Sequence, residues 1–204
     1  MTDSAVSIST GTDAYLHSNS RSIGGTAKEE QYALPAWGAD PTYQVIMDDV
    51  SPDTATDHIM QIMADGTNYT RLVRLEIRPT ENYPASEATL KLALYRLTTA
   101  GTGGTAEADS PYDDSDTYAG DMRNTPSSKG TEGQLLDTMY IGLETAASIV
   151  GWSQDSPYVW TPPANGKPIV FGTAVTEGIA LKVIDAVAST ALLIKATIAT
   201  TPYK

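Results

Sequence analysis

The acidic run DSPYDDSDTYAGD, at residues 109–121, carries the side chains best suited to holding a metal ion. Calcium takes about six to eight oxygen ligands, which Asp carboxylates and backbone carbonyls supply. Asp114, Asp116 and Asp121 are spaced loosely enough to wrap one ion, although the EF-hand pattern is absent. The run therefore predicts a calcium site at these three residues or, in the alternative, a solvated acidic loop.

A second candidate site is the aromatic and proline-rich segment 152–163. Tyr and Trp combine an apolar ring with a polar tip, which suits half-wet binding surfaces. Trp152, Tyr158 and Trp160 would form a stacking platform for a glycan, as in lectin-like sandwiches. The alternative is a loop that is held in place by its own aromatic residues.

Catalytic patterns are missing from the sequence. The two histidines are His17 and His58, and no nucleophile elbow of the G-x-S-x-G type accompanies them. His58 adjoins an apolar run, so we expect it to be a buried core or boundary residue. The paired carboxylates at 48–49 and 113–114 lie in turns, where each pair diverges instead of flanking a cleft. We therefore expect a non-enzymatic protein with no catalytic residue and no cofactor other than calcium.

The elements that must position these residues are strands. Residues 73–78 alternate between apolar and polar side chains, and Leu90, Leu92 and Leu94 repeat the pattern; period two is typical of a strand with one buried face. The side chains expected to face a core are Val73, Leu75 and Ile77 in the first segment and Leu90, Leu92 and Leu94 in the second.

The whole pattern predicts about eight to ten strands and no helix. The segment 58–63 is ambiguous, but a glycine and a strand soon after it favour a strand. Only a short linker separates the last two strands, 178–184 and 191–198, which predicts a hairpin. We predict an all-β fold, a β-sandwich with a jelly roll as the favoured form.

The chain divides by composition into an arm and a sandwich. Residues 1–40 are polar and rich in Ser, Thr and Gly, which predicts an extended N-terminal arm. Residues 41–204 would form the β-sandwich domain. Within it, residues 101–133 make a long Asp/Gly-rich loop, and a connection of this length is usually functional or mobile.

Composition narrows the classes of partner. The formal net charge is -12, which argues against binding nucleic acid, because a phosphate backbone requires clustered Lys and Arg. Cysteine is absent, so disulfides and thiolate metal sites are excluded. No apolar run approaches the roughly 20 residues that span a bilayer. The N-terminus lacks the features of a signal peptide, so we expect synthesis in a cytoplasm and no membrane partner.

Several short segments form a recognisable set: AYLHS (14–18) with RSIGG (21–25), HIMQIMA (58–64) followed by RLVRL (71–75), LYRLT (94–98) through GTGGT (101–105), KGTEG (129–133) and EGIAL (177–181). Together they resemble a group of mostly uncharacterised tailed-phage virion proteins.

This resemblance, which spans about residues 14 to 198, implies a capsid-decorating or other accessory structural subunit in the virion. It carries over no active-site residue. The implied partners are the major capsid protein or other virion proteins, in a homo-oligomer for which a trimer is favoured. The expected function is therefore to decorate or stabilise the capsid or head–tail region of a bacteriophage, and the alternative is a glycan-binding fibre or adsorption module.

Overall fold

The computed structural model describes residues 16–23, 26–33, 40–81, 84–143, 145, 157–164, 166–172, 174–188 and 190–202. Within these ranges the chain is all-β and contains no helix, so none of the described residues belongs to a helix that could cross a membrane. The strands are β1 (Leu16–Ile23), β2 (Thr26–Ala33), β3 (Thr42–Val50), β4 (His58–Met63), β5 (Asn68–Glu81), β6 (Ala88–Leu97), β7 (Thr105–Ala106), β8 (Asp109–Pro111), β9 (Met122–Asn124), β10 (Glu132–Leu143), β11 (Tyr158–Trp160), β12 (Ile169–Phe171), β13 (Gly178–Asp185) and β14 (Ala191–Pro202).

Residues 1–40 form one compact unit and residues 41–204 form another. In the first unit, β1 and β2 pair antiparallel, from Leu16 opposite Ala33 to Ile23 opposite Thr26. The described part of the expected arm is therefore a β-hairpin. The side chains of this unit before Asp40, including that of His17, lie outside the described part.

The second unit is a sandwich of two antiparallel sheets. Sheet I has the order β11-β5-β14-β3-β8, with β12 also on β5, and sheet II has the order β10-β6-β13-β4-β9-β7. If β11 and β12 are counted as one strand, the sandwich has eight main strands, which in chain order are β3, β4, β5, β6, β10, β11/β12, β13 and β14. Numbered 1 to 8 in this order, they give 1-8-3-6 in sheet I and 2-7-4-5 in sheet II, which is the strand order of a jelly roll. The predicted all-β sandwich of jelly-roll form is confirmed.

The core lies between the two sheets and is built from the alternating apolar residues. Leu75 and Ile77 of β5 and Leu90, Leu92 and Leu94 of β6 are all 0% exposed. Full burial of one such side chain stabilises the fold by about 1.5–3 kcal/mol. The strand β4 is buried on both faces, and its HIMQIM segment is the strand that the sequence favoured.

Two β-bulges change the facing of single residues. Val73 was predicted to be buried but is 40% exposed. The register of β5 against β14 shifts between Leu72 and Arg74, so Leu72 takes the inward position and Val73 turns outward. Leu135 of β10 is 48% exposed beside a similar shift. A bulge adds one residue and reverses the alternation, which local periodicity does not reveal.

The expected hairpin of the last two strands is wrong. β13 pairs with β4 and β6 in sheet II, whereas β14 pairs with β3 and β5 in sheet I. The short linker instead crosses from one sheet to the other. The physical reason is that both strands are apolar over most of their length and occupy central positions, where each has a neighbour on both sides.

Candidate functional site

The long segment after β6 folds onto the sandwich and extends both of its sheets. Its strand β8 adds to β3 in sheet I, and β9 adds to β4 in sheet II. The backbone N–H of Gly101 donates to Oε1 of Gln61 at 2.7 Å, and Thr102 and Ser128 form a β-bridge. This segment therefore covers the outer face of sheet II near β4, which explains why β4 is buried on both sides.

A cluster of three ionisable side chains fastens the end of this segment to sheet II. Nε2 of His58 lies 3.1 Å from Oε1 of Glu132, and Nζ of Lys182 lies 2.8 and 2.9 Å from its two carboxylate oxygens. Nζ of Lys182 also stands 5.3 Å from the ring centre of Tyr95, a cation–π contact. The three charged or titratable groups come from β4, β10 and β13, so the cluster ties three strands together.

Burial decides the protonation of this cluster. Burial lowers the pKa of His58, and the hydrogen bond to Glu132 only partly opposes it. Among the described residues Nδ1 of His58 has no hydrogen-bond partner, so a proton there would be a buried donor without an acceptor. Burial alone would raise the pKa of Glu132, but hydrogen bonds from Lys182 and His58 outweigh it and lower that pKa. The cluster is therefore a neutral histidine and an ion pair.

His58 itself is 0% exposed, which agrees with the expected buried histidine. A general base must come within hydrogen-bond reach of its substrate, and this ring is covered. Its role in the fold is to hold Glu132. The partners were missed from the sequence because Glu132 lies 74 residues from His58 and 50 from Lys182.

The three aspartates proposed for calcium are not assembled into a ligand set. Asp114 is exposed, and Oδ2 of Asp121 accepts a hydrogen bond from Nε of Arg123 at 2.6 Å. No group of three or more His, Asp or Glu that could hold a metal occurs within the described residues, which include Asp114, Asp116 and Asp121. Calcium binding at these residues stays a prediction.

The acidic loop instead bonds to itself and to the core. Oδ1 of Asp113 accepts hydrogen bonds from the backbone N–H and the hydroxyl of Ser115, and these bonds lower the pKa of Asp113. Tyr118, which the sequence did not single out, is buried at 5% exposure. Its hydroxyl donates to the carbonyl of Met63 at 2.5 Å, and its burial raises its pKa. Tyr118 therefore anchors the loop.

Of the aromatic residues proposed for glycan stacking, Trp152 lies outside the described residues. Tyr158 and Trp160 occupy β11 and are partly buried against the hydrophobic core. The hydroxyl of Tyr158 lies 3.5 Å from Oδ2 of Asp137, and burial raises the pKa of this tyrosine. Their rings thus stabilise the sandwich edge. Glycan binding at these residues stays a prediction.

The outer face of sheet I holds a groove of about 340 Å³. Three adjacent strands, β3, β14 and β5, supply its floor, and the residue after β8 supplies one wall. Its lining residues are Thr42, Gln44, Val73, Arg74, Glu76, Tyr112, Lys195 and Thr197. Sequence periodicity marks Arg74 and Glu76 only as outward-facing and places Val73 on the wrong face, so the groove could not be found before the strand order was known.

The edge strand of sheet II presents a second surface. β10 ends the strand order and pairs only with β6 within the described part of the chain. Its residues 138–143, TMYIGL, carry no charge and no proline. Tyr140 is 61% exposed beside Lys91 of β6, whose Nζ lies 5.4 Å from the ring centre. The outer side of β10 has no strand partner within the described residues, and a strand edge without a blocking charge is a template for another strand.

The fold and these surfaces define the class of protein: an all-β jelly-roll sandwich with a groove on one sheet and an open edge on the other. No family model, no curated protein and no solved structure matches the chain.

Proposed function

We propose that the chain is a non-enzymatic structural protein of a tailed-phage virion, which decorates or stabilises the capsid or head–tail region through subunit contacts. Two observations support the proposal. The jelly roll is a fold of viral capsid domains, although the same fold also serves lectins and cupins. The sequence segments described above, from residue 14 to 198, resemble virion accessory proteins.

The open edge of β10 is the observation that carries the proposal. A strand from a neighbour would pair with residues 138–143 by main-chain hydrogen bonds, as in strand addition. The donor we propose is the N-terminal arm of an adjacent subunit, because its hairpin strands are already extended. Such head-to-tail contacts close into a ring, for which we favour a trimer.

The charge supports a position away from the packaged genome. A net charge of -12 repels nucleic acid and leaves protein surfaces as the partners, which we propose to be the major capsid protein or other virion proteins. After synthesis in a host cytoplasm, the protein would reside in the virion.

The native mass tests the proposed subunit contact. Light scattering should give the wild-type chain a discrete multiple of 21.7 kDa that does not change on dilution. Tyr140→Glu places a charge on the open edge and opposite Lys91, so it should block pairing while leaving the sheet intact. Its mass should fall to 21.7 kDa, and a chain lacking residues 1–34 should fall to its own, smaller monomer mass.

The control is Val175→Glu, which makes the same charge change at a residue that is also 61% exposed. Its mass should equal that of the wild type. A wild-type chain that is monomeric at every concentration would contradict the self-association. An oligomer that survives Tyr140→Glu would contradict the role of β10.

Immunogold labelling tests the virion assignment. Tailed particles are purified from the source of the sequence and probed with antibody raised against the folded chain. We expect label at the head or at the head–tail junction. Unlabelled particles in which mass spectrometry also finds no peptide of this chain would overturn the proposal.

A further inference from the structure

The groove on the outer face of sheet I combines one exposed ring with a row of polar side chains. Tyr112 is 68% exposed, which is the largest exposure among the large hydrophobic side chains described. Its backbone N–H donates to the carbonyl of Thr42 at 2.8 Å, which holds the main chain of Tyr112 beside β3. Strand pairing places Thr197 opposite both Gln44 and Arg74. An aromatic ring thus borders a floor of hydroxyl, amide and guanidinium groups.

This combination matches the chemistry of a sugar ring. A pyranose offers an apolar C–H face, which packs on an aromatic ring, and hydroxyls around its rim, which bond to amide and hydroxyl groups. The groove volume of about 340 Å³ falls within the range of small-molecule sites. A flat sheet face with a ring at one side also suits an extended oligosaccharide.

The charge of the groove selects among sugars. Arg74 is bound to Glu76, with Nη2 and Oε2 separated by 2.9 Å. Lys195 stands directly opposite Glu76 in the strand register, but it forms no ion pair within the described part of the chain. Among the residues that line the groove, two cations and one anion leave a local excess of one positive charge on a protein of net charge -12, and Asp113, which follows Tyr112 in the chain, is not part of this lining. This local excess favours an anionic ligand.

We propose that this groove binds an acidic saccharide, one that carries a carboxylate on its sugar ring. Tyr112 stacks on the sugar face, Lys195 pairs with the carboxylate, and Gln44 and Thr197 bond to the ring hydroxyls. The site is distinct from Tyr158 and Trp160, whose rings pack on the core. The proposal does not depend on the assignment to a virion.

Titration calorimetry on the full chain tests the proposal with two acidic probes and their neutral counterparts. The probes are tetragalacturonic acid and sialyllactose, and the counterparts are their methyl esters, which keep every sugar ring and lose only the carboxylate charge. We expect saturable binding of at least one acidic probe. Its neutral counterpart should bind roughly tenfold more weakly or worse, because a charge-assisted hydrogen bond is lost.

Two substitutions assign the binding to the groove. Tyr112→Ala and Lys195→Gln should each weaken binding of the acidic probe by roughly tenfold. Lys195→Gln should also abolish the preference over the neutral counterpart. The controls are Tyr69→Ala and Lys167→Gln, which remove an exposed tyrosine and an exposed lysine that do not line the groove and should leave binding unchanged.

Three results would overturn the proposal. The first is the absence of saturable binding of both acidic probes. The second is binding that neither Tyr112→Ala nor Lys195→Gln weakens. The third is equal binding of acetate and the acidic probes, which would reveal a carboxylate site that does not recognise sugar.

Discussion

Glu132→Gln removes the one anion of the buried cluster on sheet II and keeps the shape of the side chain. In the native protein this carboxylate accepts hydrogen bonds from Nε2 of His58 and Nζ of Lys182. After the change, Lys182 keeps its charge at 17% side-chain exposure with no carboxylate beside it. The remaining compensation is the ring of Tyr95 at 5.3 Å. The substitution should therefore destabilise the fold.

The exposure of the Glu132–Lys182 ion pair sets how much stability the substitution should remove. Exposed ion pairs contribute about 0–1 kcal/mol, and breaking a fully buried pair costs about 3–5 kcal/mol. Lys182 and Glu132 are 17% and 26% exposed, which places the pair between these limits. We expect a loss of about 2 kcal/mol in the free energy of unfolding. For a chain of this size the melting temperature falls by about 4–8 °C.

Urea denaturation followed by circular dichroism measures this loss, and the chain offers a matched control. Glu76→Gln breaks a pair of similar length, 2.9 Å, whose arginine is 50% exposed. It should cost less than about 1 kcal/mol. Equal losses for the two variants would refute the argument that burial strengthens the Glu132 pair.

The same cluster makes stability depend on pH. Burial lowers the pKa of His58 in the folded state, so below about 6.5 the unfolded chain takes up a proton that the folded chain does not. The pKa of Glu132 is also lowered, so its contribution is present above about 4.5 and is lost as pH falls further. Stability should therefore decline from about pH 6.5 downward. His58→Gln should flatten the decline between about pH 6.5 and 5, whereas His17→Gln should not.

Two further predictions concern the long loop. Gly101→Ala should lower the free energy of unfolding by about 1–3 kcal/mol, because a Cβ there would press on the carbonyl of Ser128 and lie 2.9 Å from Oε1 of Gln61. The control in the same denaturation assay is Gly142→Ala, because a Cβ at Gly142 meets nothing within 4 Å. The calcium hypothesis predicts a higher melting temperature in calcium than in EDTA, and Asp114→Asn should abolish the difference. Identical melting curves in the two buffers would remove that hypothesis.

The strands and the buried positions were largely predictable from local pattern. Period-two alternation located β5 and β6, and Leu90, Leu92 and Leu94 are buried as expected. The facing of Val73 was not predictable, because a bulge is a property of two paired strands and not of one. The hairpin expected for β13 and β14 failed for a related reason. A short linker is compatible with pairing in one sheet and with crossing between two.

The sequence alone determined that this protein is an all-β sandwich, since strand periodicity and turn residues are local and each strand carries its own signal. Only the tertiary structure decided which residues act together. The cluster of His58, Glu132 and Lys182 and the groove beside Tyr112 both join strands far apart in the chain. Their assembly depends on strand order in the jelly roll, which long-range packing selects and no local pattern encodes.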